Sequence, residues 1–172
     1  MNLNLNELVQ QVNGEFAERF EGRNLDLICI LQPEPLLIRA DSRRIWRVLE
    51  NLYVNVCKYA MPGTRVYVDA IKKDGKIQFS IKNISENPLN FQADELTERF
   101  IRGDVSRSTE GSGLGLSIAK NLTVLQHGSF NIYLDGDLFK VTITFDEAVK
   151  EKKPMSPMIV PEPVQEEAQQ DA

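Results

Sequence analysis

Gly111-Ser112-Gly113-Leu114-Gly115-Leu116-Ser117-Ile118-Ala119-Lys120 sets three glycines within five residues directly ahead of a helical pattern. Glycine reaches positive φ and carries no Cβ, so such a loop can bring backbone N–H groups close to an anion. The helix that follows adds free N–H donors and the positive end of its dipole, so the stretch suits phosphate. Leu114, Ile118, Leu122 and Leu125 recur at helical spacing and are expected to anchor that helix on a core. The spacing fits neither a GxxxxGK[ST] phosphate loop nor a dinucleotide fingerprint.

Upstream, Ser42-Arg43-Arg44-Ile45-Trp46-Arg47-Val48-Leu49-Glu50 opens a second helix that runs to about Ala60, where Met61-Pro62-Gly63 ends it. Ile45, Leu49, Leu52 and Val56 form one apolar stripe suited to packing on a sheet. Asn51, Asn55 and Lys58 cluster along the edge of that stripe, with Tyr59 between them and its centre. Asparagine is mildly unfavourable inside a helix, so two of them along one edge point to a polar task there.

Three segments together resemble the conserved boxes of sensor histidine kinases. Glu50-Asn51-Leu52-Tyr53-Val54-Asn55-Val56-Cys57-Lys58-Tyr59-Ala60 is similar to the N box, Thr97 to Ser108 to the F box with its lid, and Gly111 to Leu122 to the G2 box. The resemblance covers Leu3 to Phe145 and implies an α/β, two-layer α+β sandwich of the Bergerat ATP-binding type. Such a fold has a mixed, mostly antiparallel sheet with helices on one face and a mobile lid over ATP. Residue by residue, the resemblance gives Asn55 to the Mg²⁺ that bridges the phosphates, a hard oxygen on a hard cation. It sets Asn51 near the γ-phosphate, Lys58 on phosphate as a point charge, Tyr59 against adenine, and Arg102 reaching the phosphates from the lid side. Gly111, Gly113, Leu114, Gly115 and Leu116 are then the phosphate loop and the first turn behind it.

One box departs from the family. Where relatives read DxGxG, this chain reads Asn83-Ile84-Ser85-Glu86-Asn87-Pro88. Asn83 takes the place of the Asp that accepts a hydrogen bond from the adenine amino group, and an amide oxygen still accepts, without charge. Ser85 replaces the first glycine, and Pro88 is expected to stiffen the turn. The last glycine box survives only as Asp135-Gly136-Asp137 and the strand Lys140 to Phe145.

The single histidine, His127, follows the helix behind the glycine loop and reads as a turn residue, not a phospho-acceptor. The resemblance therefore implies that the acceptor histidine sits on a separate dimerisation domain, with a response regulator downstream. The ATP-binding domain is expected to span residues 1–147, with a lid at about 101–112 that is mobile when empty, and a Pro/Glu/Gln-rich tail at 148–172 that stays disordered. Met1 to Phe20 reads as a linker and an opening helix capped by Asn4 or Asn6. Strands are expected at 25–31, 36–39, 65–71, 77–81, 129–134 and 139–145, with hairpin turns at Asp74-Gly75 and Asp135-Gly136.

A net charge of −5 argues against nucleic-acid binding, and the basic cluster Arg43, Arg44, Arg47 reads as a solvated face. No signal peptide or membrane-length apolar run is visible, so a cytoplasmic location is expected for this part of a parent that the resemblance makes membrane-anchored. Cys29 and Cys57 lack metal-site spacing and read as free buried thiols. The isolated domain is expected to be a monomer, its parent a homodimer. Two other readings remain: a degenerate ATP-binding module that regulates a partner, and an anti-sigma-type serine kinase.

Overall fold

The computed structural model describes residues 1–89 and 114–149. Among the described residues, ten elements follow in chain order: β1 (Asn2–Asn4), α1 (Leu5–Gly22), β2 (Asp26–Leu31), β3 (Leu37–Arg39), α2 (Ser42–Tyr59), β4 (Arg65–Lys73), β5 (Lys76–Ile84), α3 (Leu114–Leu125), β6 (Ser129–Asp135) and β7 (Leu138–Asp146). Arg102, Gly111 and Gly113, the lid at 101–112 and tail residues 150–172 lie outside the described residues.

Five strands form one sheet in the order β2-β4-β5-β7-β6. Only β2 and β4 run parallel, because the chain between them crosses through β3 and α2; the other three pairs are antiparallel. Alternation along the strands buries Val66, Val68, Ala70, Ile77, Phe79, Ile81, Val141, Ile143 and Phe145 on the face that carries the helices. The opposite face holds polar and charged side chains, among them Lys82 with its ammonium 5.2 Å from the Tyr67 ring centroid. This is the expected two-layer α/β sandwich, mostly antiparallel.

Local chemistry sets the helix starts. Asn4 caps α1 by accepting from the Asn6 N–H at 3.2 Å, and it also accepts from the Leu36 N–H at 3.1 Å. Asp41 caps α2 by accepting from the N–H groups of Arg43 and Arg44 at 2.9 and 3.1 Å. The α2 stripe of Ile45, Leu49, Leu52 and Val56 is buried as its periodicity predicts. Each such side chain contributes about 1.5–3 kcal/mol by leaving water. The β4–β5 hairpin turns through Asp74 and Gly75, both at positive φ, where glycine removes the steric cost.

Two expectations need correction. The first residues are not a linker: β1 pairs antiparallel with β3. In α3, Leu114 and Leu125 do not anchor the helix, being 45% and 59% exposed. The buried face is Leu116, Ala119 and Thr123, because α3 lies against α2 and small residues permit that approach. The Thr123 hydroxyl is satisfied by donating to the Ala119 carbonyl at 2.7 Å. His127 occupies the left-handed position after α3 at φ 65°. The Gly128 N–H returns to the Thr123 carbonyl and the His127 N–H to that of Val124, each at 3.0 Å, which terminates the helix in a Schellman turn.

Candidate functional site

The C-terminus of α2 meets the end of β5 at one end of the sheet, and the first turn of α3 lies beside Asn51, about two turns back along α2. Backbone bonds stitch the first two together: Met61 N–H to the Ile84 carbonyl at 2.8 Å and Glu86 N–H to the Tyr59 carbonyl at 2.8 Å, with Ala60 bridged to Ser85. The Ser85 N–H donates to the Asp137 carbonyl at 2.7 Å, which ties in the β6–β7 turn. Tyr59 and Asn83, 24 positions apart in the chain, thus share one corner.

Asn51 and Asn55 are half-buried and Lys58 is exposed, so the polar edge of α2 grades from the helix interface toward solvent. The Asn51 amide donates to the Arg47 carbonyl one turn back at 2.8 Å, which holds the side chain along the helix. Its Oδ1 faces α3, 3.6 Å from where a Cβ on Gly115 would stand. That is ordinary contact, so the protein around Gly115 would accept an alanine. Beside Gly115, Leu116 is buried and Leu114 exposed, and the Ser117 hydroxyl donates to the Leu114 carbonyl at 2.9 Å.

Asn83 is the most unusual side chain of the group. It is only 3% exposed on the helix-facing side of β5, opposite Phe139 of β7, and its Oδ1 is enclosed with no hydrogen-bond donor among the described residues. A buried carbonyl oxygen left unpaired costs about 1–3 kcal/mol, so such atoms are uncommon without a ligand or water to serve them.

Sequence reasoning missed Arg23. Its Nε donates to the Cys57 carbonyl at 2.9 Å and its Nη2 to the Ala60 carbonyl at 3.1 Å. The same nitrogen lies 3.6 Å from the Glu86 carboxylate. One guanidinium therefore caps the C-terminus of α2 and holds the segment after Asn83, a function of tertiary reach that no local pattern announces. Nearby, burial raises the pKa of Cys57, with Arg19 and Arg23 pulling it down.

Among the described residues no cluster of three His, Cys, Asp or Glu side chains could hold a metal. A cavity of about 710 Å³ opens elsewhere, lined by Met1, Arg39, Gln126, His127 and Phe145 among others. Phe145 faces Ile77 near the start of β5, whereas Asn83 lies at its far end, so the cavity is remote from the asparagines. No described helix is long and apolar enough to cross a membrane.

Residues 40–150 match the family described as histidine kinase-, DNA gyrase B- and HSP90-like ATPases, and the chain belongs to that family. It is similar to the sensor histidine kinase RppB of Synechocystis, 29% identical over 74% of this chain and 29% of that protein. The signal transduction histidine-protein kinase BaeS of Escherichia coli is 30% identical over 70% of this chain and 26% of its own length. The chain thus spans under a third of either relative. Among solved structures, the catalytic domain of histidine kinase ThkA superposes with a TM-score of 0.74 at 25% identity, covering 86% of this chain and 95% of that one. ThkA in complex with response regulator protein TrrA shares the fold, with a TM-score of 0.68 at 24% identity over 88% of this chain and 43% of that one. The fold is that of a histidine kinase catalytic domain, and its family is one of ATPases.

Proposed function

We propose that this chain is the catalytic, ATP-binding domain of a two-component sensor histidine kinase, which passes the γ-phosphoryl group of ATP to a histidine on a separate dimerisation domain. The observation that carries the reading is the Asn83 oxygen, buried and lacking a donor among the described residues, at the corner shared with Tyr59. The exocyclic amine of adenine is a donor of the kind that this atom lacks, and Tyr59 offers a ring against which a base can stack. Gly115 supports the phosphate side, since it stands at the start of α3 in contact with Asn51, where the free N–H groups of a helix start suit an anion.

In the transfer, the bond from the γ-phosphorus to the bridging oxygen breaks as a bond to an imidazole nitrogen forms, and ADP leaves. The acceptor nitrogen uses its lone pair, and any ring proton is lost to solvent or a base. The chain's part is positioning and charge compensation: Lys58 and Arg102 balance phosphate charge, Asn51 sits near the γ-phosphate, and Gly111, Gly113 and Leu116 shape the loop and first turn. Asn55 would hold Mg²⁺ by its amide oxygen, which has no hydrogen-bond partner among the described residues, and the ion would neutralise phosphate charge. The parent works as a homodimer at the membrane, with this domain on the cytoplasmic side and a response regulator as the final acceptor.

Calorimetric titration of ATP with and without Mg²⁺ tests this, with Asn55→Ala in parallel. Expected is binding between micromolar and sub-millimolar Kd that Mg²⁺ tightens and the variant no longer tightens. Absence of binding would turn the reading toward a degenerate module that regulates a partner. Supplying the histidine-bearing domain and testing acid stability of the product separates phosphohistidine, which is acid-labile, from the phosphoserine of an anti-sigma-type kinase.

A further inference from the structure

We propose that Asn83 makes the base pocket accept a 6-oxopurine nearly as well as a 6-aminopurine, so that inosine triphosphate is a ligand of this chain alongside ATP. The inference rests on the nucleotide-binding reading and goes beyond it in naming the range of bases.

A carboxylate at the end of β5 would offer acceptors alone. It would match the amino group at position 6 of adenine and repel the carbonyl oxygen at position 6 of hypoxanthine. A carboxamide carries one acceptor and two donors side by side. With Oδ1 toward position 6 it accepts from the adenine amino group while Nδ2 faces the N1 lone pair. Rotated by about 180° at its terminal torsion, it donates from Nδ2 to the hypoxanthine oxygen and accepts from its N1–H. Either base therefore finds two complementary partners on the same side chain.

The surroundings of Asn83 favour this exchange. Its Oδ1 makes no hydrogen bond among the described residues, so rotation sacrifices none of theirs at that atom. Its cross-strand neighbour Phe139 is buried and apolar and has no preference for either amide orientation. At 3% exposure, bulk water does not compete for the amide, so a mismatch there is felt in full.

Competition of ATP, inosine triphosphate and purine riboside triphosphate for a fluorescent ATP analogue on the full chain tests the proposal. Expected are dissociation constants for ATP and inosine triphosphate within about tenfold of each other, with the analogue lacking a 6-substituent weaker than both. Asn83→Asp should widen the ATP preference by about 10- to 100-fold. Inosine triphosphate binding 100-fold more weakly than ATP to the unaltered chain would overturn the proposal and leave the ATP site standing. Equal binding of all three would also overturn it, because position 6 would then not be read. Binding of none would remove the nucleotide reading itself. The unaltered-chain arms decide the matter even where Asn83→Asp fails to fold.

Discussion

Replacing Arg23 by alanine is the change that best probes how the site is held together. The substitution removes two hydrogen bonds from a charged donor, at 2.9 and 3.1 Å, to carbonyls at the end of α2. Hydrogen bonds of that kind contribute about 1.5–3 kcal/mol each when water is excluded. The Arg23 side chain is 36% exposed, so water re-pairs part of what is lost, and a total near 2 kcal/mol follows. Its ion pair with Glu86 adds little, since the partners are 36% and 49% exposed and 3.6 Å apart; such pairs contribute about 0–1 kcal/mol. For a chain of this size about 2 kcal/mol corresponds to a fall in Tm of roughly 4–8 °C. Urea unfolding of Arg23→Ala, Glu86→Gln and the double variant measures the parts, and Arg23→Lys keeps the charge without the fork. Because Tyr59 and Glu86 hang on the same helix end, nucleotide affinity should fall in Arg23→Ala by more than in Glu86→Gln. A loss below about 0.5 kcal/mol in Arg23→Ala, or one matched by Glu86→Gln, would refute the idea that the guanidinium caps this corner through the carbonyls.

Further outcomes are expected elsewhere. Gly128→Ala should destabilise by about 1–3 kcal/mol in urea unfolding, since its Cβ would stand 2.6 Å from Phe145 Cε1 and 2.9 Å from Thr123 Cγ2. Gly14→Ala in α1 meets nothing within 4 Å and should stabilise by about 0.5–1 kcal/mol. Burial raises the thiol of Cys57 above its ordinary 9.0, so the unfolded chain ionises first and stability falls as pH climbs past that value. A Tm series from pH 7 upward checks it, and Cys57→Ala should make the decline shallower.

What could be read from the chain was whatever repeats or clusters locally. The α2 stripe follows from a 3.6-residue period, and the Asp74-Gly75 turn follows from glycine's tolerance of positive φ. That Tyr59 and Asn83 lie at one corner was expected only because the boxes of a family came in order; no spacing within the chain gives it. Other features were hidden for physical reasons. β1 has three residues, too few for an alternating pattern, and exists because β3 supplies its hydrogen bonds. Leucine spacing does not mark the buried face of α3. Close approach to α2 instead selects Ala119 and Thr123, and leaves Leu125 outside. Arg23 reaches carbonyls 34 and 37 positions away, beyond any window of sequence.

The short strand β3 has a consequence for how this unit can be joined to others. On one edge it pairs with β1, and the Ala40 N–H donates to the Met1 carbonyl at 3.2 Å. On its other edge it meets the chain leaving β7, where the Ala148 N–H donates to the Leu37 carbonyl at 2.8 Å. The entering and leaving segments are thus separated by one strand, roughly 10–15 Å from the inter-strand spacing and the residue rise. A short flexible bridge between Val149 and Met1 would span that gap, and new ends could open at the exposed Asp74-Gly75 turn. The unit is therefore suited to circular permutation, and to grafting into a surface loop of a host protein without stretching either junction.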